Sequence, residues 1–150
     1  MNKGETHAST LDALEKLGAA GIQRSVMILN GLGGETLSEA HADASARLIN
    51  AAQPEYLATL VVTLAGDGAR LRAAWPDWQA LTQVGLFREM ERFLSALELE
   101  RTVFRSDHAS NWLVLKGTLG ADKPRLLAQL RAAIEAPERA PLRAAWMRAL

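Results

Sequence analysis

The chain has no cysteine. Without thiols it can form no disulfide and hold no thiolate-ligated iron–sulfur cluster. It has no excess of either charge. Its 17 basic and 17 acidic residues cancel, so nothing pulls it as a whole toward nucleic acid or an anionic membrane, and neither is expected as a partner. No apolar run reaches membrane-spanning length. The first residues, Met1-Asn2-Lys3-Gly4-Glu5-Thr6, lack the apolar centre of a secretory signal, and the expected compartment is the cytoplasm. Internal repeats, low-complexity tracts and long linkers are also missing. A single domain over residues 1–150 is the expected organisation.

What is present is an ordinary globular balance, 49% hydrophobic and 23% charged. Its most informative segment is Gly31-Leu32-Gly33-Gly34-Glu35. A mostly apolar stretch, 22–29, runs into that turn and reads as a buried strand. A helix follows at once. Thr36 and Glu39 fit a capping box, and Leu37, His41, Ala44 and Leu48 form one stripe ending near Ala52, before Pro54. The next strand, 56–64, does not alternate cleanly, which fits a parallel strand covered on both faces. Strand, glycine turn, helix and strand make a βαβ unit, whose ligands sit beyond the carboxyl ends of the strands.

Around this unit the pattern is mainly helical. Leu11, Leu14 and Leu17 mark a first helix over 10–20, stopped by Gly21. Gly66-Asp67-Gly68 is a turn, and Trp75-Pro76-Asp77-Trp78 interrupts any continuous helix. Leu86, Phe87, Met90, Phe93, Leu94 and Leu97 predict a long amphipathic helix from near Thr82. Short extended segments at 103–105 and 112–115 flank Ser106-Asp107-His108-Ala109-Ser110-Asn111. Asp122 is placed to cap a helix bearing Leu126, Leu127, Leu130 and Ile134. Pro141 suits the first turn of a last helix with Leu142, Trp146 and Leu150.

Six segments in this order resemble the radical S-adenosylmethionine enzymes, in particular the relatives of oxygen-independent coproporphyrinogen oxidase. They are Asn2-Lys3-Gly4-Glu5-Thr6, Ala20-Gly21-Ile22, Leu29-Asn30-Gly31-Leu32-Gly33-Gly34-Glu35, Ser38-Glu39-Ala40-His41-Ala42, Phe104-Arg105-Ser106-Asp107-His108-Ala109-Ser110-Asn111 and Lys116-Gly117-Thr118-Leu119. The match spans roughly three quarters of the chain. It departs from the family at 65–69, which lacks an expected proline, and at Gly120, where the family often has proline.

The resemblance implies an α/β fold: a partial (β/α) barrel, half of a TIM-barrel-like closure, with a small, mainly parallel sheet, flanking helices and a C-terminal helical extension. In the family a [4Fe-4S] cluster, held by a CxxxCxxC loop after the first strand, binds S-adenosylmethionine and does oxidoreductase-like radical chemistry. That loop is absent here. The family's Asn-Lys-Gly segment lies past the fourth strand, so this chain is expected to be the carboxyl-terminal half. It would supply part of the cofactor and substrate pocket and be inactive alone, with no catalytic residue, no metal ligand and no tightly bound cofactor of its own. The alternative is a stand-alone, non-enzymatic remnant acting as a dimeric binding or interaction module. A half-barrel leaves a strand edge unpaired. A homodimer through that edge, or the missing N-terminal half, is the expected partner.

Two groups of candidate residues follow. The resemblance sets Asn30, Gly31, Leu32, Gly33 and Gly34 against the adenine of the cofactor, where glycine permits close backbone approach to a flat ring. The plainer alternative is a tight turn that needs glycine for its dihedrals. Ser106, His108 and Asn111 are candidate substrate contacts in the intact barrel. Ser106, Asp107 and His108 do not read as a hydrolase triad, because neighbours on an extended segment point to alternate faces. Their plainer alternative is a hydrogen-bonded turn in which Asp107 and Asn111 bind nearby backbone. A zinc site at His108 would need partners, and the only other histidines are His7 and His41. His41 reads as a packed, hydrogen-bonded side chain, and Trp75 and Trp78 as a cover over the barrel end. Arg125, Arg131, Arg139, Arg143 and Arg148 are spread along the tail and read as a solvated helical face.

Overall fold

Four short strands, whose buried sides are mostly apolar, build the centre of the molecule. The computed structural model describes residues 4–64 and 68–148. In chain order the elements are α1 (His7–Ala19), β1 (Ser25–Asn30), α2 (Gly34–Ala52), β2 (Tyr56–Val61), α3 (Ala69–Ala74), α4 (Gln83–Ala96), β3 (Val103–Ser106), β4 (Leu115–Thr118) and α5 (Lys123–Glu135). Two 3-10 turns, Pro137–Arg139 and Ala145–Arg148, follow. The four strands form one open sheet in the order β1-β2-β3-β4. The first three run parallel, and β4 returns antiparallel to β3. No helix among the described residues is long and apolar enough to cross a membrane. Asn2 and Lys3 of the first matching segment, Gly66 and Asp67 of the turn, and Leu150 lie outside the described residues.

Among the described residues the strands are covered on one face, not both. On that face Leu57, Phe104 and Leu115 are buried with Ile49 of α2, Leu94 of α4 and Leu126 of α5. Val26 and Ile28 of β1 pack against the same cluster. The opposite face carries Met27, 60% exposed, and Tyr56, 41% exposed. The unclean alternation of β2 therefore reflects an open face that is itself apolar rather than a second layer of helices. The other free margin is β1, an edge strand whose neighbour on one side is β2. On the helical side, α1 packs against α2.

Several boundaries differ from the sequence pattern for local reasons. Helix α1 starts at His7, three residues early, because Thr6 and Ser9 form a reciprocal capping box. Its end is a Schellman motif: Gly21 N–H bonds Gly18 O, Ile22 N–H bonds Leu17 O, and Gly21 takes φ +73°. Strand β1 starts at Ser25 because residues 22–24 are held as a corner by Arg24, which bonds Ala52 O, Gln53 O and the Glu55 carboxylate. Strand β2 ends at Val61, three residues short of the expected end.

Thr36 and Glu39 form no capping box. Helix α2 begins three residues earlier than that box implies, at Gly34 with Gly33 as its cap, and Glu39 turns outward to Arg92. The face α2 buries is Ala42, Ala46, Ile49 and Ala52, rotated from the expected stripe. Small residues let this helix lie close on the sheet, while Leu37 stays 46% exposed. Asp122 occupies the cap position of α5 without bonding its free N–H groups. Its carboxylate instead accepts from Thr118 N–H at 2.8 Å. The extended segment expected at 112–115 lies three residues later, as β4. Among the described residues the Pro141 segment forms no α-helix, only the 3-10 turn Ala145–Arg148, and Arg143 ties it to the 107–111 loop. The interruption at 75–78 and the helix capped by Thr82 are as the sequence predicts.

The Arg24–Glu55 pair sets one pH dependence. The Arg24 guanidinium hydrogen-bonds Glu55 and holds its carboxyl down at about 2 from an ordinary 4.5. The unfolded chain therefore binds more protons than the folded one in that window. This contribution to stability is complete above the ordinary value and is lost as the pH falls through about 2. Asp43, Asp107 and Asp122 shift in the same direction. Urea midpoints measured across this window should fall with acid, and Glu55→Gln should show a shallower fall. Equal slopes would remove the pair from the account.

Candidate functional site

The carboxyl ends of β1 and β2 meet the N-terminus of α2, and a single buried carboxylate organises the junction. Glu89 of α4 is 4% exposed. Its Oε1 accepts from Gly31 N–H at 2.6 Å, and Oε2 accepts from the Ser38 hydroxyl at 2.6 Å. His41 faces Oε1 through Nδ1 at 3.2 Å, as the packed, hydrogen-bonded histidine its helical position predicts. One side chain from α4 thus ties the strand end, the turn and the first turns of α2. Sequence reasoning passed over Glu89. The signal was there, because Glu89 sits three residues after Leu86 and four before Phe93 on the apolar stripe of α4.

The glycines of the turn answer first to packing. Gly31 has φ +85°, and a Cβ there would lie 2.7 Å from Leu86 Cδ2. Gly34 has φ +60°, and its Cβ would lie 2.6 Å from Gln79 O and 2.8 Å from Trp78 Cδ1. The Trp78 segment closes over the turn, with Trp78 Nε1–H donating to Leu32 O at 3.0 Å and Glu35 N–H to Gln79 O at 2.9 Å. Gly34 N–H bonds Gly31 O, Leu32 N–H bonds Leu29 O, and Leu37 N–H bonds Gly33 O. Asn30 points into the helical layer and donates to Leu86 O at 3.2 Å. Most polar groups of Asn30, Gly31, Leu32, Gly33 and Gly34 are therefore engaged inside the protein. Gly31, Gly33 and Gly34 are themselves buried, so what the glycines admit at close range is the protein's own Leu86, Leu37 and Trp78–Gln79 atoms.

The second group is brought together only in part. Ser106 is buried at the end of β3 on the helical side. His108 turns to Ser110 instead, with Nδ1 3.0 Å from its hydroxyl and 3.2 Å from its N–H. The Ser110 hydroxyl accepts from Val61 N–H at 3.1 Å. That bond continues β2 beyond Ala58, the last residue paired with β3. Asn111 donates from Nδ2 to Thr59 O at 2.8 Å, across the sheet rather than to nearby backbone. Asp107 pairs with Lys116 at 2.8 Å. No proton relay links Ser106, Asp107 and His108, and the loop acts as a strut at the carboxyl end of β2.

Two arginines of the tail hold that strut and are not a solvated face. Arg143 donates to the carbonyls of Asp107 and His108. Arg148 donates twice to Ser110 O, at 2.9 and 2.7 Å, and stacks over Trp112 at 3.5 Å. Burial pushes the Arg148 guanidinium below its ordinary pKa.

Two small cavities flank Asn30 under the sheet, and neither has room for more than about one or two waters. Thr59 Oγ1, beside the first, and Asn111 Oδ1, beside the second, are buried with no protein hydrogen-bond partner. Neither cavity has room for a cofactor or substrate. The residues do not fit an iron–sulfur cluster. The chain has no cysteine, and among the described residues no three or more His, Cys, Asp or Glu gather to hold a metal ion. Compared with known proteins, the chain matches no family model, no curated protein and no solved structure.

Proposed function

We propose that this chain is one half of a radical S-adenosylmethionine-type (β/α) barrel, supplying cofactor and substrate wall to a second half that carries the cluster. The observation that carries the reading is the one-sided sheet. Parallel strands β1 to β3 bury one face under α2, α4 and α5, and leave an apolar face and the β1 edge open. A barrel needs that asymmetry, with helices outside and the inner face meeting other strands. The glycine turn lies at the carboxyl end of β1, where barrel ligands bind. The resemblance sets that turn beside the adenine of the cofactor. Cluster ligation falls to the other half, since this chain has no thiol.

The test is complementation. The neighbouring coding sequence is read for a half-barrel bearing CxxxCxxC, and the two chains are expressed together. The expected result is an equimolar complex that takes up a cluster and cleaves S-adenosylmethionine, with neither activity in either chain alone. The open β1 edge and the exposed Met27 and Tyr56 favour one other reading, a non-enzymatic homodimer that covers the same surface with a second copy. A tight homodimer indifferent to the cluster-bearing half would establish that reading and overturn the first.

A further inference from the structure

The open face is mainly apolar, with Ser25 and Thr118 on it at the two outer strands and a pair of cations on β3 and β4. Met27, Leu29, Tyr56, Ala58, Leu60 and Val103 occupy it by strand alternation. Strand register then sets Met27 beside Ala58, Ala58 beside Arg105, and Arg105 beside Lys116. Two cations stand directly opposite each other on β3 and β4, an arrangement that destabilises a sheet unless an anion offsets it. Asp107 offsets one of them, pairing with Lys116 Nζ at 2.8 Å. Arg105 is exposed and forms no hydrogen bond or ion pair among the described residues, reaching Asp107 only through space. It lies one residue before the carboxyl end of β3, the end at which parallel sheets hold ligands.

We propose that Arg105, flanked by Lys116, is the oxyanion-binding subsite of this face, for a small and otherwise apolar molecule bearing one carboxylate or phosphate. The guanidinium presents a fork of donors matched to two oxygens of such a group. The apolar floor of Met27, Ala58 and Tyr56 takes the rest of the ligand. Calling that ligand a substrate rests on the half-barrel reading, and the binding itself does not.

Phenyl phosphate is the probe, titrated into the full isotope-labelled chain and followed by amide resonances. Saturating shifts are expected at Met27, Arg105 and Lys116. Arg105→Gln should weaken binding about tenfold, as loss of a charge-assisted pair does, and Arg101→Gln, on an exposed residue outside β3, should leave it unchanged. Inorganic phosphate should bind more weakly than phenyl phosphate, since it has nothing for the apolar floor. Absence of saturation at these residues, or an Arg105→Gln variant that binds as tightly as the parent, overturns the subsite. Equal affinity for the two probes overturns its apolar part. The titration needs neither cluster nor second half, so a failed complementation leaves its result standing.

Discussion

Glu89→Ala is expected to lower the unfolding free energy by about 3 kcal/mol, since each buried donor left unsatisfied costs roughly 1–3 kcal/mol. Three groups lose their acceptor together: Gly31 N–H, the Ser38 hydroxyl and His41 Nδ1. They are not equal. Ser38 and His41 are half-buried and can turn to water, whereas Gly31 is buried and its N–H has nowhere else to go. Most of the loss should come from that one amide. Glu89→Gln keeps a single acceptor oxygen and should cost about half as much, because that oxygen can serve Gly31 or Ser38 but not both. Urea unfolding of the two variants measures the difference. Equal stability of Glu89→Ala and the parent would mean that the turn is held by its glycine geometry and the Trp78 segment alone. Amide exchange at Gly31 gives an independent reading, and should quicken in Glu89→Ala before global unfolding does.

Gly34→Ala should cost about 3 kcal/mol, of which the left-handed backbone accounts for roughly 1–2 kcal/mol and steric displacement for the rest. The added methyl would sit 2.6 Å from Gln79 O, a backbone atom with no side-chain freedom to move. Relief requires the Trp78–Gln79 segment to lift, which also breaks the Glu35 N–H bond to Gln79 O. Gly21→Ala is the internal control. It has φ +73° but nothing within 4 Å of its Cβ, so it bears the backbone strain without the overlap. The difference between the two variants isolates the closure of the Trp78 segment over the turn. Fluorescence should follow it, because Trp78 is 7% exposed and becomes wetter if the segment lifts. If Gly34→Ala costs no more than Gly21→Ala, the segment does not press on the turn.

Both predictions concern the same junction, and it was only half legible beforehand. The glycine turn, the strand before it and the helix after it could be read from hydrophobic runs and turn chemistry, which act over a few residues. Glu89 and the Trp78 segment act on that turn from 44 or more residues away in sequence. Local pattern cannot say which turn a distant carboxylate will serve. The polar loop at 106–111 was similar. Its alternation ruled out a relay among Ser106, Asp107 and His108, but only the tertiary contacts with Val61, Thr59, Arg143 and Arg148 show it as a strut. Arg125, Arg131 and Arg139 are exposed as expected, whereas Arg143 and Arg148 read the same in the sequence because their partners are backbone carbonyls, which carry no sequence signature.

Sequence by itself determined the α/β class, the βαβ order, the amphipathic face of α4 and the impossibility of thiolate ligation. Those properties follow from residue type, short-range periodicity and a missing element. Tertiary structure decided that the sheet is covered on one face only, that α2 buries its alanines, and that the turn's polar groups are engaged from within. It also decided that Arg105 and Lys116 stand side by side on the open face. An apolar strand residue reads the same whether a helix, another strand or nothing lies over it, and only packing distinguishes the three.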